Sequence, residues 1–308
     1  MKKLLAILLA TFAITAWSKE TVTILYSWLP SDPAANFYRR LADESNKIQD
    51  KYTFIFDNKA GAGGSIAARA VERDPSLILA NSSALFIRPI FFPGESHEIA
   101  SFKSLMPMCV APMLITSSKY KSWKEVPTDQ PLSIGISGLG TTTHLVATQI
   151  VAKYPNIQII PFKGTSEALV SVMSGHTDFA VSFMGETVGF VKPTPQTQGR
   201  QVYLLGTTGK TNIGGAAPLA SQGFPTALAG MSSPQQLFVN RKFPDDKFKE
   251  IRAIFVKAAN TQSVKDTNGI DHCIPNSQLA DAELADWFNS QLVNWRRVAT
   301  PVAAKQTK

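Results

Sequence analysis

Three stretches of this chain place glycines and small hydroxyl residues between an apolar run and a segment with helix propensity. The first is Gly61–Ala62–Gly63–Gly64–Ser65, which follows Phe54–Ile55–Phe56 and precedes an alanine-rich segment. The second runs from Ile134 through Ser137, Gly138, Gly140, Thr141, Thr142 and Thr143 to His144. The third is Ile159–Ile160–Pro161–Phe162–Lys163–Gly164–Thr165–Ser166. Glycine lets backbone N–H groups approach a bound group without an intervening Cβ. A helix start leaves N–H donors without helical acceptors and carries a partial positive charge. That combination suits an anion, carboxylate or phosphate. Gly63, Gly64, Ser65, Ser137, Thr141, Thr142 and Thr165 are therefore expected to hold carboxylate oxygens. Trp28 and Ser82 are expected to shape the wall beside them.

Catalytic patterns find less support. Leu139 stands where the final glycine of a G-x-S-x-G nucleophile elbow belongs. The histidines His97, His144, His176 and His272 fall in no metal-binding spacing. The Gly61–Gly64 loop lacks the Gly-Lys-Ser/Thr ending of a phosphate-binding loop and the G-x-G-x-x-G spacing of a dinucleotide fold. No cofactor, metal or catalytic residue is expected. A secreted hydrolase using Ser137 and His144 is the rival from another class.

The elements that must position these loops alternate. Strand-like runs at 21–26, 54–56, 77–80, 132–136, 158–161, 179–183 and 202–207 are separated by helical segments at 34–45, 65–71, 142–153 and 166–174. Met108–Val110 and Met113–Thr116 read as strand material broken by Pro112, and 236–239 as a later strand. A helix is expected to about Asn260, and an amphipathic one over about 280–298, with Leu284, Trp287, Phe288, Leu292 and Trp295 on its core side. Alternation of this length implies parallel sheets with right-handed crossovers, with ligands beyond the carboxyl ends of the strands. The expected division is a first lobe of 19–126 plus 232–308 and a second of 127–231.

The net charge of +8 is scattered, with no arginine-rich arm, so nucleic acid is not an expected partner. Met1–Lys2–Lys3, an apolar run from Leu4 to Ala16 and small residues before Lys19 read as a secretory signal peptide over 1–18. In an exported protein Cys109 and Cys273 are free to form a disulfide or to remain two buried thiols, and their spacing does not decide between these.

At these residues the chain resembles the solute-binding proteins of tripartite tricarboxylate transporters, the TctC or Bug family. The family's Asn-x-Pro-Gly-Ala-Gly-Gly pattern is similar to Asn58–Lys59–Ala60–Gly61–Ala62–Gly63–Gly64, with Ala60 in place of the proline. Its strand and loop ending in Ser/Gly-x-Gly-Thr-x-x-His is similar to Ser137 through His144. Pro161–Phe162–Lys163–Gly164–Thr165 resembles its Pro-Tyr-Lys-Gly-Gly loop, and Gly175–His176–Thr177–Asp178 its Gly-x-x-Asp motif. The resemblance implies a two-lobed periplasmic binding protein fold of type II, each lobe a mostly parallel sheet flanked by helices. It implies a monomer that closes around a small carboxylate and hands it to membrane permease subunits; a receptor that presents its ligand to a sensor protein is the alternative. It adds Ser31, Asn58, Gly140, Gly164 and Ser182 to the expected ligand-binding set. Two departures concern the ligand's far end. The family's first loop carries Pro-Gly-Gly-Pro and then an aspartate, whereas here it reads Pro30–Ser31–Asp32–Pro33; and Ser182 stands where an acidic residue often follows the Gly-x-x-Asp strand. Asp32 is then the acid available to a substrate amine.

The exported protein is expected to begin at Lys19. Intact-mass spectrometry of the periplasmic fraction checks this, and a mature pool that retains Met1 would refute it.

Overall fold

A computed structural model describes residues 19–195, 197–270, 274–275 and 279–306. The expected signal peptide and Cys273 lie outside them. The elements in chain order are β1 (Glu20–Tyr26), α1 (Pro33–Lys47), β2 (Tyr52–Asn58), α2 (Ser65–Arg73), β3 (Ile78–Asn81), α3 (Ala84–Phe91), β4 (Phe102–Pro112) and β5 (Leu114–Ser117). There follow β6 (Leu132–Ile136), α4 (Thr142–Val151), β7 (Ile157–Pro161), α5 (Thr165–Met173), β8 (Phe179–Ser182), α6 (Met184–Thr187) and β9 (Tyr203–Thr207). The chain ends with β10 (Ser232–Asn240), α7 (Asp245–Ala259), α8 (Gln262–Ile270), β11 (Ile274–Pro275) and α9 (Leu284–Gln306). No helix among the described residues is long and apolar enough to cross a membrane.

Two sheets organise these elements into two lobes. One has the order β11-β4-β10-β3-β1-β2 and the other β7-β6-β8-β5-β9. Three strands of each lobe follow one scheme. β1 lies between β2 and β3 and is parallel to both, and β6 lies likewise between β7 and β8. Each set is then joined by an antiparallel strand, β10 beside β3 and β5 beside β8. Both sheets are consequently mixed, not mostly parallel. The reason is the path of the chain: β5 and β10 enter each sheet directly from the other lobe, without a helical crossover to reverse their direction.

β5 also moves the expected lobe boundary. It pairs with β8 and β9, and Met113, Ile115, Tyr120, Trp123 and Val126 pack in the second lobe's core. The first crossing therefore falls between Pro112 and Leu114, well ahead of 127. The chain returns to the first sheet with β10, which begins at Ser232. The last helix begins at Leu284 and runs on to Gln306; near its end Ala299 and Val302 pack with Ile87 of α3 and Leu145 of α4, so it touches both lobes.

Local chemistry explains the elements around the cleft. α1 starts with Pro33, whose ring presets a helical φ and whose missing N–H needs no acceptor there. It buries Phe37, Tyr38, Leu41 and Ala42 against the first sheet. α4 is capped by Thr141, whose Oγ1 accepts the His144 N–H at 3.3 Å. α3 was hidden in the sequence because Pro89 sits inside it and Asn81–Ser83 read as a turn. β10 carries register shifts against β4 at Gln235/Gln236 and Leu237/Phe238, irregularities of the kind that re-aim side chains next to sites. Cys109 on β4 is disulfide-bonded.

Phe86 of α3 is fully buried, with its ring 5.0 Å from that of Phe288 and 5.9 Å from that of Phe238. Phe86→Ala should therefore cost about 3–5 kcal/mol of unfolding free energy, as removal of a core aromatic does. Chemical denaturation measures it; a loss near zero would mean that α9 does not hold α3 on the first lobe.

Candidate functional site

The carboxyl ends of β1, β2 and β3 face those of β6, β7 and β8, and the loops that follow meet across the cleft. Three contacts define the meeting. Arg88 Nη1 of α3 donates to the Leu139 carbonyl at 2.6 Å. Ser83 Oγ lies 2.5 Å from Thr142 Oγ1. Asp32 Oδ1 accepts the Ser166 N–H at 3.2 Å and the Ser166 hydroxyl at 2.5 Å. Between them lies a cavity of about 50 Å³. That is a few times the roughly 10–15 Å³ one water needs, so the space suits a small molecule and not a polymer segment.

Six of the expected residues line this cavity: Trp28, Ser82, Ser137, Thr141, Thr142 and Thr165. In the second lobe they form a hydroxyl network. Ser137 Oγ pairs with Thr143 Oγ1 at 2.9 Å, and Thr141 Oγ1 pairs with Thr143 Oγ1 at 2.8 Å and donates to the Gly138 carbonyl at 2.7 Å. The network fixes the start of α4, whose first N–H groups, those of Thr142 and Thr143, have no acceptor inside the helix.

The structure places the other expected residues around the cavity, not on its wall. Gly63 and Gly64 have positive φ, +57° and +89°, and a Cβ on Gly63 would come within 2.7 Å of the Leu139 carbonyl. Gly63 is required there because the other lobe's backbone passes over it. Ser65 points back into its own lobe, pairing with Ser96 at 2.8 Å and His97 Nδ1 at 3.3 Å. The start of α2 thus does not reach the cavity, contrary to expectation. Asn58 donates to the Trp28 carbonyl at 3.3 Å and so braces the first loop. Gly140 leaves room for Arg88, and Gly164 for Asp32, whose Oδ2 would lie 2.6 Å from a Cβ there. Ser31 Oγ lies 2.9 Å from Ser166 Oγ. Ser182 is buried and accepts from the Thr187 hydroxyl at 3.1 Å.

Several wall residues escaped the sequence. Tyr26, Phe37, Ala111 and Phe183 give an apolar surface, and Ser233 and Gln235 enter from β10. Alternation along β10 would have marked Ser233 and Gln235 as neighbours on one face, but Pro234 between them reads as a connector. Asp32 also lines the cavity and is only 4% exposed. Burial pushes its carboxyl up to about 6, against the lowering pull of the Ser166 hydrogen bonds, with the Glu167 charge adding to the rise.

Ser137 and His144 make a poor hydrolytic pair. His144 Nδ1 accepts the Gly140 N–H at 3.1 Å and its ring packs on Phe91. Burial, helped by the Arg88 charge, drives its pKa down to about 4. A base that weak draws a proton from a hydroxyl inefficiently. Among the described residues no group of three or more His, Cys, Asp or Glu side chains is placed to hold a metal.

The sequence model of the tripartite tricarboxylate transporter family receptor, TctC, matches residues 37–278. The chain belongs to that family. A UPF0065 protein encoded in the tcbD-tcbE intergenic region of Pseudomonas sp. (strain P51) is 28% identical over 143 residues, which is 41% of this chain and 42% of that protein. The chain thus matches less than half the length of that relative. Among solved structures, periplasmic binding protein BugD superposes with a TM-score of 0.80 at 17% identity, over 93% of this chain and 98% of BugD. MatC from Rhodopseudomonas palustris with bound malate superposes with a TM-score of 0.75 at 15% identity, over 91% of this chain and 98% of MatC. These likenesses show that this TctC chain has the two-lobed periplasmic binding protein fold.

The buried Asp32 gives a pH signature. Its folded pKa lies above the unfolded value of about 3.9, so between those values the folded state binds the extra proton and this group's contribution to stability falls as pH rises. The stability of Asp32→Asn relative to wild type should therefore be greatest at neutral pH and decline as pH drops through 6 toward 4. Paired denaturation curves across that range check the sign; a difference that does not change with pH would show Asp32 titrating as an exposed carboxylate.

Proposed function

We propose that this chain is an exported receptor that captures a small carboxylate between its lobes and delivers it to the permease subunits of a tripartite tricarboxylate-type transporter. The observation that carries the reading is the start of α4 on the cavity wall, where first-turn N–H groups and a cluster of hydroxyls converge. Charge-assisted hydrogen bonds from such donors contribute about 1.5–3 kcal/mol each. The Arg88 guanidinium, beside Gly140 and bonded to Leu139, adds positive potential to the same end. Membership of a transporter receptor family supports the delivery role, and MatC, of the same fold, is a precedent for a bound carboxylate. On this reading export removes residues 1–18, the receptor works as a monomer, and the lobes rotate about the two crossings at 112–114 and 231–232.

A receptor of this kind is stabilised by its ligand through mass action, by about 2.7 kcal/mol at a hundredfold excess over Kd. Thermal unfolding in the presence of mono-, di- and tricarboxylates should show a raised Tm for at least one of them, and none for sugars or cationic amino acids. Ala34 is half-buried in the first turn of α1 and lines the cavity. An acid is tolerated in a first helical turn, so Ala34→Asp should fold, yet set a charge in the apolar wall that the ligand body covers and abolish the shift. Sugars stabilising where carboxylates do not would overturn the assignment.

A further inference from the structure

We infer that the cavity is built for a monocarboxylate with an apolar body and is closed to dicarboxylates, because Asp32 already occupies the second anion position. The inference rests on the carboxylate-receptor reading and narrows its substrate class.

Among the second lobe's helix starts that reach the cleft are those of the two longer helices, α4 and α5. The start of α4 offers its donors to the cavity. The start of α5 does not: Asp32, from the first lobe, takes the Ser166 N–H and hydroxyl. Gly164 at the α5 cap admits this approach, since a side chain there would collide with the Asp32 carboxylate. An internal carboxylate thus stands where a ligand's second carboxylate would find its donors. It also borders the cavity and shares that end with Glu167, so a second ligand carboxylate would meet repulsion as well as a lack of partners. Arg88 sits at the opposite, α4 end, which orients a single carboxylate away from Asp32.

The rest of the wall states what the other end should be. Tyr26, Trp28, Phe37 and Phe183 present rings, and Ala34 and Ala111 present methyl groups. Two buried polar atoms of lining residues have no hydrogen-bond partner: Trp28 Nε1, in a side chain 6% exposed, and Gln235 Oε1, in one 8% exposed. A buried donor and acceptor left unpaired cost stability, and both are offered to whatever fills the cavity. One can bind a ligand oxygen and the other a ligand N–H or O–H. Neither adds the positive charge a second carboxylate would require.

Calorimetric titration with two matched pairs separates the possibilities: hexanoate against adipate and benzoate against terephthalate, each pair differing by one carboxylate. At about pH 8, where Asp32 is ionised, the monocarboxylate should bind at least about tenfold tighter in at least one pair. Asp32→Ala frees the start of α5 and removes the charge; the α1 helix should persist, since the Asp32 side chain makes no capping bond to it. The preference should then shift toward the dicarboxylate by about tenfold or more. Asp32→Asn, which keeps the shape and removes the charge, should shift it less. Circular dichroism confirms that each variant is folded, and if Asp32→Ala is not, Asp32→Asn decides on the direction of its shift. Tighter wild-type binding of the dicarboxylates, or a preference unmoved by the folded variants, would overturn the inference and leave the carboxylate receptor standing. Failure of all four compounds and of the wider carboxylate panel would overturn both.

Discussion

The contact between the Asp32 carboxylate and the start of α5 sets the terms for the rest of the cleft. It joins the loop after β1 to the loop after β7. It takes a buried negative charge out of water, and hydrogen bonds from an N–H and a hydroxyl offset part of that cost. The glycine at the α5 cap, the proline that starts α1 and the aromatic wall beside it are all consistent with holding one carboxylate in one place. With that end of the cavity negative, the α4 end, flanked by Arg88, is the end proposed to bind the anion.

The topology explains why the two ends can be so different while the lobes are so alike. Each lobe sets one strand between two parallel neighbours, β1 between β2 and β3 and β6 between β7 and β8, so three strand-to-helix loops emerge at one edge of each sheet. The lobes then face each other through six loops of similar construction and different sequence. The cavity wall is drawn from the loops and from the two strands that cross between lobes, of which β10 brings Ser233 and Gln235 to the cavity. The cores beneath are separate: rings such as Phe54 and Phe255 pack below one sheet, and Trp123, Phe179 and Phe224 below the other.

Much of this was legible in the sequence. Strand–glycine–helix patterns identified the loops, and Trp28, Ser82, Ser137, Thr141, Thr142 and Thr165 were expected where they lie. Gly63 and Gly64 were read as ligand-facing because a glycine that admits a ligand and a glycine that admits a neighbouring backbone look the same in sequence. Only the neighbours separate the cases: the Leu139 carbonyl of the other lobe at Gly63, and the Asn81 and Ser27 side chains at Gly64. β5 was assigned to the wrong lobe for a similar reason: an apolar strand reports its burial and not its partners. The role of Asp32 was least accessible. Its partner is 134 residues away, and no local pattern encodes a pairing of that range.

The isolation of Asp32 from the cores has a consequence for descent. Its side chain stands on the loop ahead of α1 and contributes no cap to that helix. The charge at one end of the cleft can therefore change through a single codon, while sheets, helices and crossings stay as they are. Receptors related by such a step would be almost identical along their length and carry different cargo. On the proposed reading, cargo within a lineage of this architecture would follow the residue at the head of α1 more closely than overall kinship.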